Sequence, residues 1–304
     1  MMKILVTGSN GLLGQKLVHK LSKDASVELV ATARGENRLH WQEGYEYRSM
    51  DISDLSNVLS VVSEVKPEVI IHTAAMTHVD QCEDDKEGCE KLNVEAVQYL
   101  IAACAAHKVH LVHLSTDFIF DGEKGPLSEE EVANPVSFYG DSKWRAEKLI
   151  QASNVSHAIL RTVLVYGVAE KMSRSNIVLW AKGALAKGDP IKVVDDQFRT
   201  PTLAEDLADG CILAAKQKAE GVFNISGPDF MSIIDLVRRI ARFWKLDESL
   251  INPVSSVTLN QTAQRPPKTG FIIDKAREVL GYQPHSFEEG LALVDQQIKA
   301  EQQS

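Results

Sequence analysis

Near its start the chain reads Thr7-Gly8-Ser9-Asn10-Gly11-Leu12-Leu13-Gly14, set between the apolar run Lys3 to Thr7 and a helix-like stretch that opens at Leu12. Three glycines at three-residue spacing on a strand-to-helix junction constrain the fold more than any other feature. Gly8 permits the tight turn, Gly11 lets the backbone come close to a bound group, and Gly14 lets the helix seat closely on its strand. The helix N-terminus behind them offers free N–H groups and a partial positive charge, which together suit a pyrophosphate. A dinucleotide-binding fold places such a turn where this one lies, closing the first strand and opening the first helix.

The first half of the chain keeps that alternation. Lys3 to Thr7, Val27 to Ala33, Tyr45 to Met50, Glu68 to Thr73, Val109 to Ser115 and His157 to Thr162 read as strands, with helices over Leu12 to Lys23, Leu55 to Val65 and Val94 to Ala106. Apolar strands separated by helices predict an α/β fold, a doubly wound parallel sheet of the Rossmann type covered on both faces. After Gly167, Pro190, Pro201, Pro228, Pro253 and the Pro266-Pro267 pair break the rhythm and predict a smaller, loop-rich lobe. Ala204 to Lys216 and Val222 to Ile225 read as one more helix and strand of the sheet. The expected organisation is therefore interleaved: a dinucleotide-binding domain over 1–168 plus 203–225, and a C-terminal substrate lobe over 169–202 plus 226–304.

Composition narrows the classes of partner. Lys and Arg number 33 against 42 Asp and Glu, a net charge of −9, so neither a nucleic-acid groove nor an anionic membrane surface is expected. The run Ile4 to Val6 is too short for a signal-peptide core, and Ala96 to His107 is too short to span a membrane. Cys82, Cys89, Cys104 and Cys211 show no tight pairing motif, which argues against a disulfide framework or a zinc knuckle and for a reduced, cytoplasmic protein. His107, His110 and His113 are three apart, but Lys108 to His113 reads as a strand, where His110 and His113 face opposite ways, so no metal is predicted. Cys82 and Cys89 sit among Asp80, Glu83, Asp84 and Asp85 and are expected on a partly exposed helix with raised thiol pKa values. Glu129 to Glu131 reads as a solvated loop or helix start.

Two further groups of residues carry chemistry. Tyr139-Gly140-Asp141-Ser142-Lys143 opens a helix-like run, and residues four apart share a helix face, so the phenol and the ammonium can flank one site. Tyrosine ordinarily titrates near 10; a cation beside it stabilises phenolate and is expected to lower that value, making a proton donor usable near neutrality. About two dozen residues earlier the strand Val109 to Leu114 runs into Ser115-Thr116-Asp117-Phe118-Ile119-Phe120-Asp121-Gly122. Ligands of doubly wound sheets bind at the carboxyl ends of the strands, so the Thr116 hydroxyl is expected beside the phenol, polarising a substrate carbonyl.

The glycine spacing G-x-x-G-x-x-G resembles that of the extended short-chain dehydrogenase/reductases. Where a fold that prefers NAD carries Asp or Glu at the end of the second strand, this chain has Arg34, which can pair with a 2′-phosphate, and Arg38 can assist. Read with "STDFIFDG" at 115–122, "YGDSK" at 139–143, "DQFRTPT" at 196–202, "TAAMTHVD" at 73–80 and Arg265-Pro266, nearly the whole chain resembles the dTDP-4-dehydrorhamnose reductases and their relatives. The resemblance implies NADPH-dependent reduction of a 4-keto group on a nucleotide-activated 6-deoxy sugar, with a homodimer as the family-level expectation. It makes Thr116, Tyr139 and Lys143 catalytic. It gives Gly8, Asn10, Gly11, Leu12, Leu13, Gly14, Arg34, Asp51, Ile52, Ala74, Ala75, Met76 and Ser115 to the cofactor, together with Tyr139 and Lys143. Thr77, Val79, Asp80, Thr116, Asp117, Asn176, Gln197 and Arg265 fall to the substrate.

Three departures accompany it. Leu164 stands where some of these reductases have tryptophan, and Lys16 stands where members with a metal-bridged dimer have glutamate. "RTVLVYG" followed by "VAEKM" also resembles the regulatory β subunit of methionine adenosyltransferase, so a cofactor-binding subunit with little turnover stays open, as does a nucleotide-sugar epimerase.

Overall fold

A computed structural model describes residues 1–171, 175–259 and 261–301. Its centre is a seven-stranded, fully parallel sheet built from β1 (Met2–Thr7), β2 (Val27–Ala33), β3 (Glu46–Ser49), β4 (Val69–His72), β5 (His110–Thr116), β6 (His157–Thr162) and the Gly221–Asn224 strand. The spatial order is Gly221–Asn224, β6, β5, β4, β1, β2, β3. Strand order therefore reverses between β1 and β4, and the carboxyl ends of those two strands form the crevice where such sheets take ligands.

Alternation along each strand divides its apolar side chains between two helical layers. Ile4, Val6, Val69, Ile71, Val112 and Leu160 pack on one face, under α1 (Leu12–Leu21) and the Ala204–Gln217 helix. Leu5, Ile70, Leu111 and Ile159 pack on the other, under α2 (Leu55–Val65) and the Ala96–His107 helix. In α2 the buried residues Val58, Val61, Val62 and Val65 follow helical spacing. Asp54 caps it by accepting from the amides of Ser56 and Asn57, and Lys66 ends it in the left-handed region at φ 50°.

Several elements differ in their bounds from the sequence reading. The strand expected over Tyr45 to Met50 spans Glu46–Ser49, and the Tyr45 hydroxyl donates to the Trp41 carbonyl. The helix expected from Val94 is preceded by a wide π-helical turn, Lys91–Glu95, which rotates Asn93 into the interior.

Beyond β6 the chain builds a third apolar cluster around Tyr166, Val178, Ile191, Leu236, Ile240, Phe287 and Leu291. Its strands are short: Ile191–Val194 pairs with Ile251–Val254, Phe198–Arg199 with Met231–Ser232, and Thr202–Leu203 with Val165–Tyr166. Residues 263–282 then return over the carboxyl end of the sheet, and Phe271, Ile273, Ala276, Leu280 and Tyr282 join the first core. Glu129 is part of this closure, since its carboxylate accepts from the Asn224 amide and its carbonyl from Arg161. Among the described residues no helix is long and apolar enough to cross a membrane.

Candidate active site

The glycine turn has the geometry its spacing demands. Gly8 adopts φ +68°, and a Cβ there would lie 2.8 Å from the Ala74 amide nitrogen. A Cβ on Gly14 would fall 2.2 Å from the Gly8 carbonyl oxygen, so α1 can approach β1 this closely only without one. Gly11 is the N-cap of α1 and supplies no side chain to it, so the first-turn amides after Gly11 have no capping group. Asn10 braces the neighbouring loop, donating to the Glu36 carbonyl and accepting from the Arg38 amide. Arg34 and Arg38 stand exposed on that loop. Asp51 accepts from the Ser53 amide and hydroxyl. Burial pushes its carboxyl up, but those hydrogen bonds and the Arg34 charge hold it below the ordinary range. Ile52 is buried in the second core, and the Ser115 hydroxyl, at the end of β5, is buried with no protein partner.

Tyr139 and Lys143 lie in the first turns of the Phe138–Gln151 helix, which Ser137 caps by accepting from the Gly140 amide. Gly140 lets that helix press on the end of β5; a Cβ there would be 2.1 Å from the Phe118 carbonyl oxygen. Phenol and ammonium both end up buried against the strand. Burial pushes the Tyr139 phenol up, the adjacent Thr116 hydroxyl pulls it down, and Asp117 raises it again. The expected lowering by Lys143 is thus overturned: desolvation dominates, and Lys143 directs its Nζ to His113 Nε2 at 3.2 Å. Burial brings Lys143 itself down to about 8, against the pull of Glu147. His113 stacks on His72, ring centroids 5.3 Å apart, and His72 Nδ1 meets the Thr7 hydroxyl at 2.8 Å. His110 points the other way, to Ser156, as strand alternation requires.

The cysteine expectation holds for the partly exposed helices and for Cys82, whose thiol is raised, and is corrected for Cys89. Cys82 and Cys89 are fully buried and pack with Met76, Val79, Phe118 and Phe138 around Tyr139. Hydrogen bonding within the pair raises Cys82 and holds Cys89 down at about 7. Of the acidic neighbours, Asp84 and Asp85 are exposed, whereas Glu83 accepts from the Phe138 amide at the start of the Tyr139 helix. Asn93, which no sequence signal marked, joins the same layer: it accepts from the Met76 amide and donates to the Met76 carbonyl and the Ser142 hydroxyl. It thereby ties the 73–80 segment, with Ala74, Ala75, Met76 and exposed Thr77, to the catalytic helix.

The substrate-side residues are distributed differently from one another. Asp80 pairs with Arg265 at 2.7 Å and accepts from the Ala263 amide. Asn176 caps the Ile177–Ala186 helix and donates to the Gly167 carbonyl, and Gln197 is buried. Asp117 is buried against Arg199, which lies within the "DQFRTPT" segment but was given no role of its own from the sequence. Thr116 donates its hydroxyl proton to Asp117 Oδ1 at 3.1 Å, so its donor is directed at a carboxylate. Leu164 adopts φ +40° and packs between the first and third cores. Lys16 forms a 2.8 Å ion pair with Glu205. Of the "VAEKM" segment, Met172 lies outside the described residues.

A glycine turn at the switch point, a hydroxyl at the end of β5 and a Tyr-x-x-x-Lys helix beside it define an extended short-chain dehydrogenase/reductase. Within that class the chain belongs to the RmlD substrate-binding domain family, whose model matches residues 2–299. It is 29% identical over 303 residues to a dTDP-4-dehydrorhamnose reductase of Aggregatibacter actinomycetemcomitans, covering 96% of this chain and 97% of the relative. It is 28% identical to methionine adenosyltransferase 2 subunit beta of Xenopus tropicalis, over 86% of this chain and 77% of that protein. The crystal structure of the Bacillus anthracis dTDP-4-dehydrorhamnose reductase in complex with NADP superposes with a TM-score of 0.84 at 26% identity, covering 98% of this chain and all of that one (100%).

Proposed function

We propose that the protein reduces a 4-keto group on a nucleotide-activated 6-deoxy sugar with NADPH, in the manner of dTDP-4-dehydrorhamnose reductase. The observation that carries this reading is the buried convergence of Tyr139, Lys143 and Thr116 at the end of β5, next to the uncapped N-terminus of α1. The residues present fit the cofactor. The first-turn amides of α1 would take its pyrophosphate and exposed Arg34 and Arg38 its 2′-phosphate, and the buried Ser115 hydroxyl at the end of β5 has no partner among the described residues.

When bound, the reduced nicotinamide supplies the hydride. Tyr139, kept protonated by burial, gives its phenolic proton to the oxygen of the keto group as charge develops there. Lys143 holds positive charge beneath that oxygen and would bind the nicotinamide ribose. Asn176, Gln197 and Arg265 would shape the nucleotide-sugar pocket from the second lobe. NADPH oxidation followed at 340 nm with dTDP-4-keto-6-deoxy sugars tests the reading. Tyr139→Phe should lower kcat by at least about 100-fold, and equal turnover of the two proteins would refute the mechanism.

The similarity to methionine adenosyltransferase 2 subunit beta supports a second reading, a cofactor-binding regulatory subunit. Stoichiometric recovery of an adenosyltransferase from native extract, without ketosugar reduction, would favour it.

A further inference from the structure

Asp117 directly follows the catalytic Thr116, yet nothing about its surroundings is that of a free ligand for a sugar hydroxyl. Its side chain is almost entirely buried, and three groups from three parts of the chain converge on it. The Thr116 hydroxyl donates to Oδ1 at 3.1 Å, the Thr269 hydroxyl donates to Oδ2, and Arg199 Nε lies 3.5 Å from Oδ2. The Arg199 guanidinium is equally buried and uses its remaining N–H groups on main-chain carbonyls: Phe198 at 2.7 Å, Pro266 at 2.7 Å and Pro267 at 3.1 Å. One ion pair therefore joins the end of β5 to the Phe198–Arg199 strand and to the 266–269 segment crossing above the site.

We propose that Asp117 and Arg199 are positioning residues for the reduction, a buried pair that fixes the Thr116 hydroxyl beside Tyr139 and makes its placement depend on the second lobe. As a carboxylate facing Arg199, Asp117 can only accept, and it takes the Thr116 hydroxyl at 3.1 Å. The Thr116 oxygen is further fixed by the Phe118 amide, which donates to it at 3.3 Å. Burial holds the Asp117 carboxyl above its ordinary range, and the Arg199 charge is the largest influence opposing that. Without Arg199 the carboxylate loses its compensating charge, and with it the acceptor that holds Thr116. Tyr139 is then left as the hydroxyl donor to the keto oxygen, and Asp117 acts on the reaction without touching the sugar.

The inference rests on the reductase reading, and two measurements separate their failures. In NADPH oxidation with a dTDP-4-keto-6-deoxy sugar, Asp117→Asn and Arg199→Met should each lower kcat by about 10- to 100-fold, a loss of orientation. The ketosugar KM should stay within about threefold of wild type in both. The double variant should be no slower than the slower single one, because both changes break one device, and Arg199→Lys should restore part of the rate. Amide hydrogen exchange at Phe118, read in the ligand-free protein, should accelerate in both single variants. The charge-free double variant serves for both readouts if a single variant does not fold. A raised KM at unchanged kcat in Asp117→Asn would make Asp117 a substrate ligand and overturn the proposal. Wild-type kcat or wild-type Phe118 exchange in Arg199→Met would overturn it as well. If the wild-type protein reduces no ketosugar, the reductase reading falls, while Phe118 exchange still decides whether the pair holds Thr116.

Discussion

Arg34 directly follows β2, exposed on a loop held by Asn10 and Tyr47, so its guanidinium is accessible to a bound anion. A charge-assisted pair with a 2′-phosphate contributes about 1.5–3 kcal/mol before solvent exposure discounts it. NADPH should therefore bind about tenfold more tightly than NADH. Arg34→Ala should erase most of that preference while leaving NADH affinity nearly unchanged, as dissociation constants for both cofactors in both proteins will show. Equal wild-type affinities would remove Arg34 from the site. Arg34, Thr116, Tyr139 and Lys143 could be given roles from the sequence because each stands at a fixed distance from a strand end or a glycine. Arg199, Asn93 and the buried sides of Cys82 and Cys89 could not. Their contacts join distant parts of the chain, as Asn93 joins Ser142 and Arg199 joins Asp117, which no local spacing encodes.

Among the elements, α1 owes its seat on the sheet to a single residue. Its approach to β1 depends on Gly14, where a methyl group would meet the Gly8 carbonyl, a backbone atom that cannot rotate away. Gly14→Ala should cost about 1–3 kcal/mol of stability, the range for overpacking, measured from urea unfolding. It should also weaken NADPH binding, because the amides of α1 move with the helix. A variant with wild-type stability and affinity would show that the turn is more compliant than its contacts indicate. Most elements were readable from period and punctuation: α2 and β6 begin and end where expected, since Asp54 and Lys66 bound one and apolar continuity defines the other. The π-helical turn at Lys91–Glu95 was not readable. Its sequence is compatible with plain helix, and it exists because Asn93 satisfies groups on Met76 and Ser142.

For the molecule as a whole, the buried histidines set the response to acid. Burial holds His72 down at about 3 and His110 at about 4, and His113 also lies well below its ordinary value. In the unfolded chain each titrates near 6.5. Between those limits the unfolded state binds more protons, so the histidines' contribution is complete above about pH 6.5 and is lost as pH falls toward 3. Urea midpoints should fall steadily below pH 6.5, with a shallower fall in His72→Asn. An unchanged slope in that variant would mean that His72 is protonated in the fold. The return of residues 263–282 to the first core carries a different kind of consequence, one of timing. Translation is vectorial, and Thr116, Tyr139 and Lys143 are all made long before Phe271, Ile273 and Tyr282. Until those last apolar residues emerge, the nascent sheet carries an uncovered patch around Phe120 and Leu127 and has no Thr269 to close on Asp117. A chain ending at residue 262 would hold Thr116, Tyr139 and Lys143 and still be expected to aggregate, as light scattering would reveal. The newborn protein thus depends on a chaperone, or on its own tail, before it has a working site.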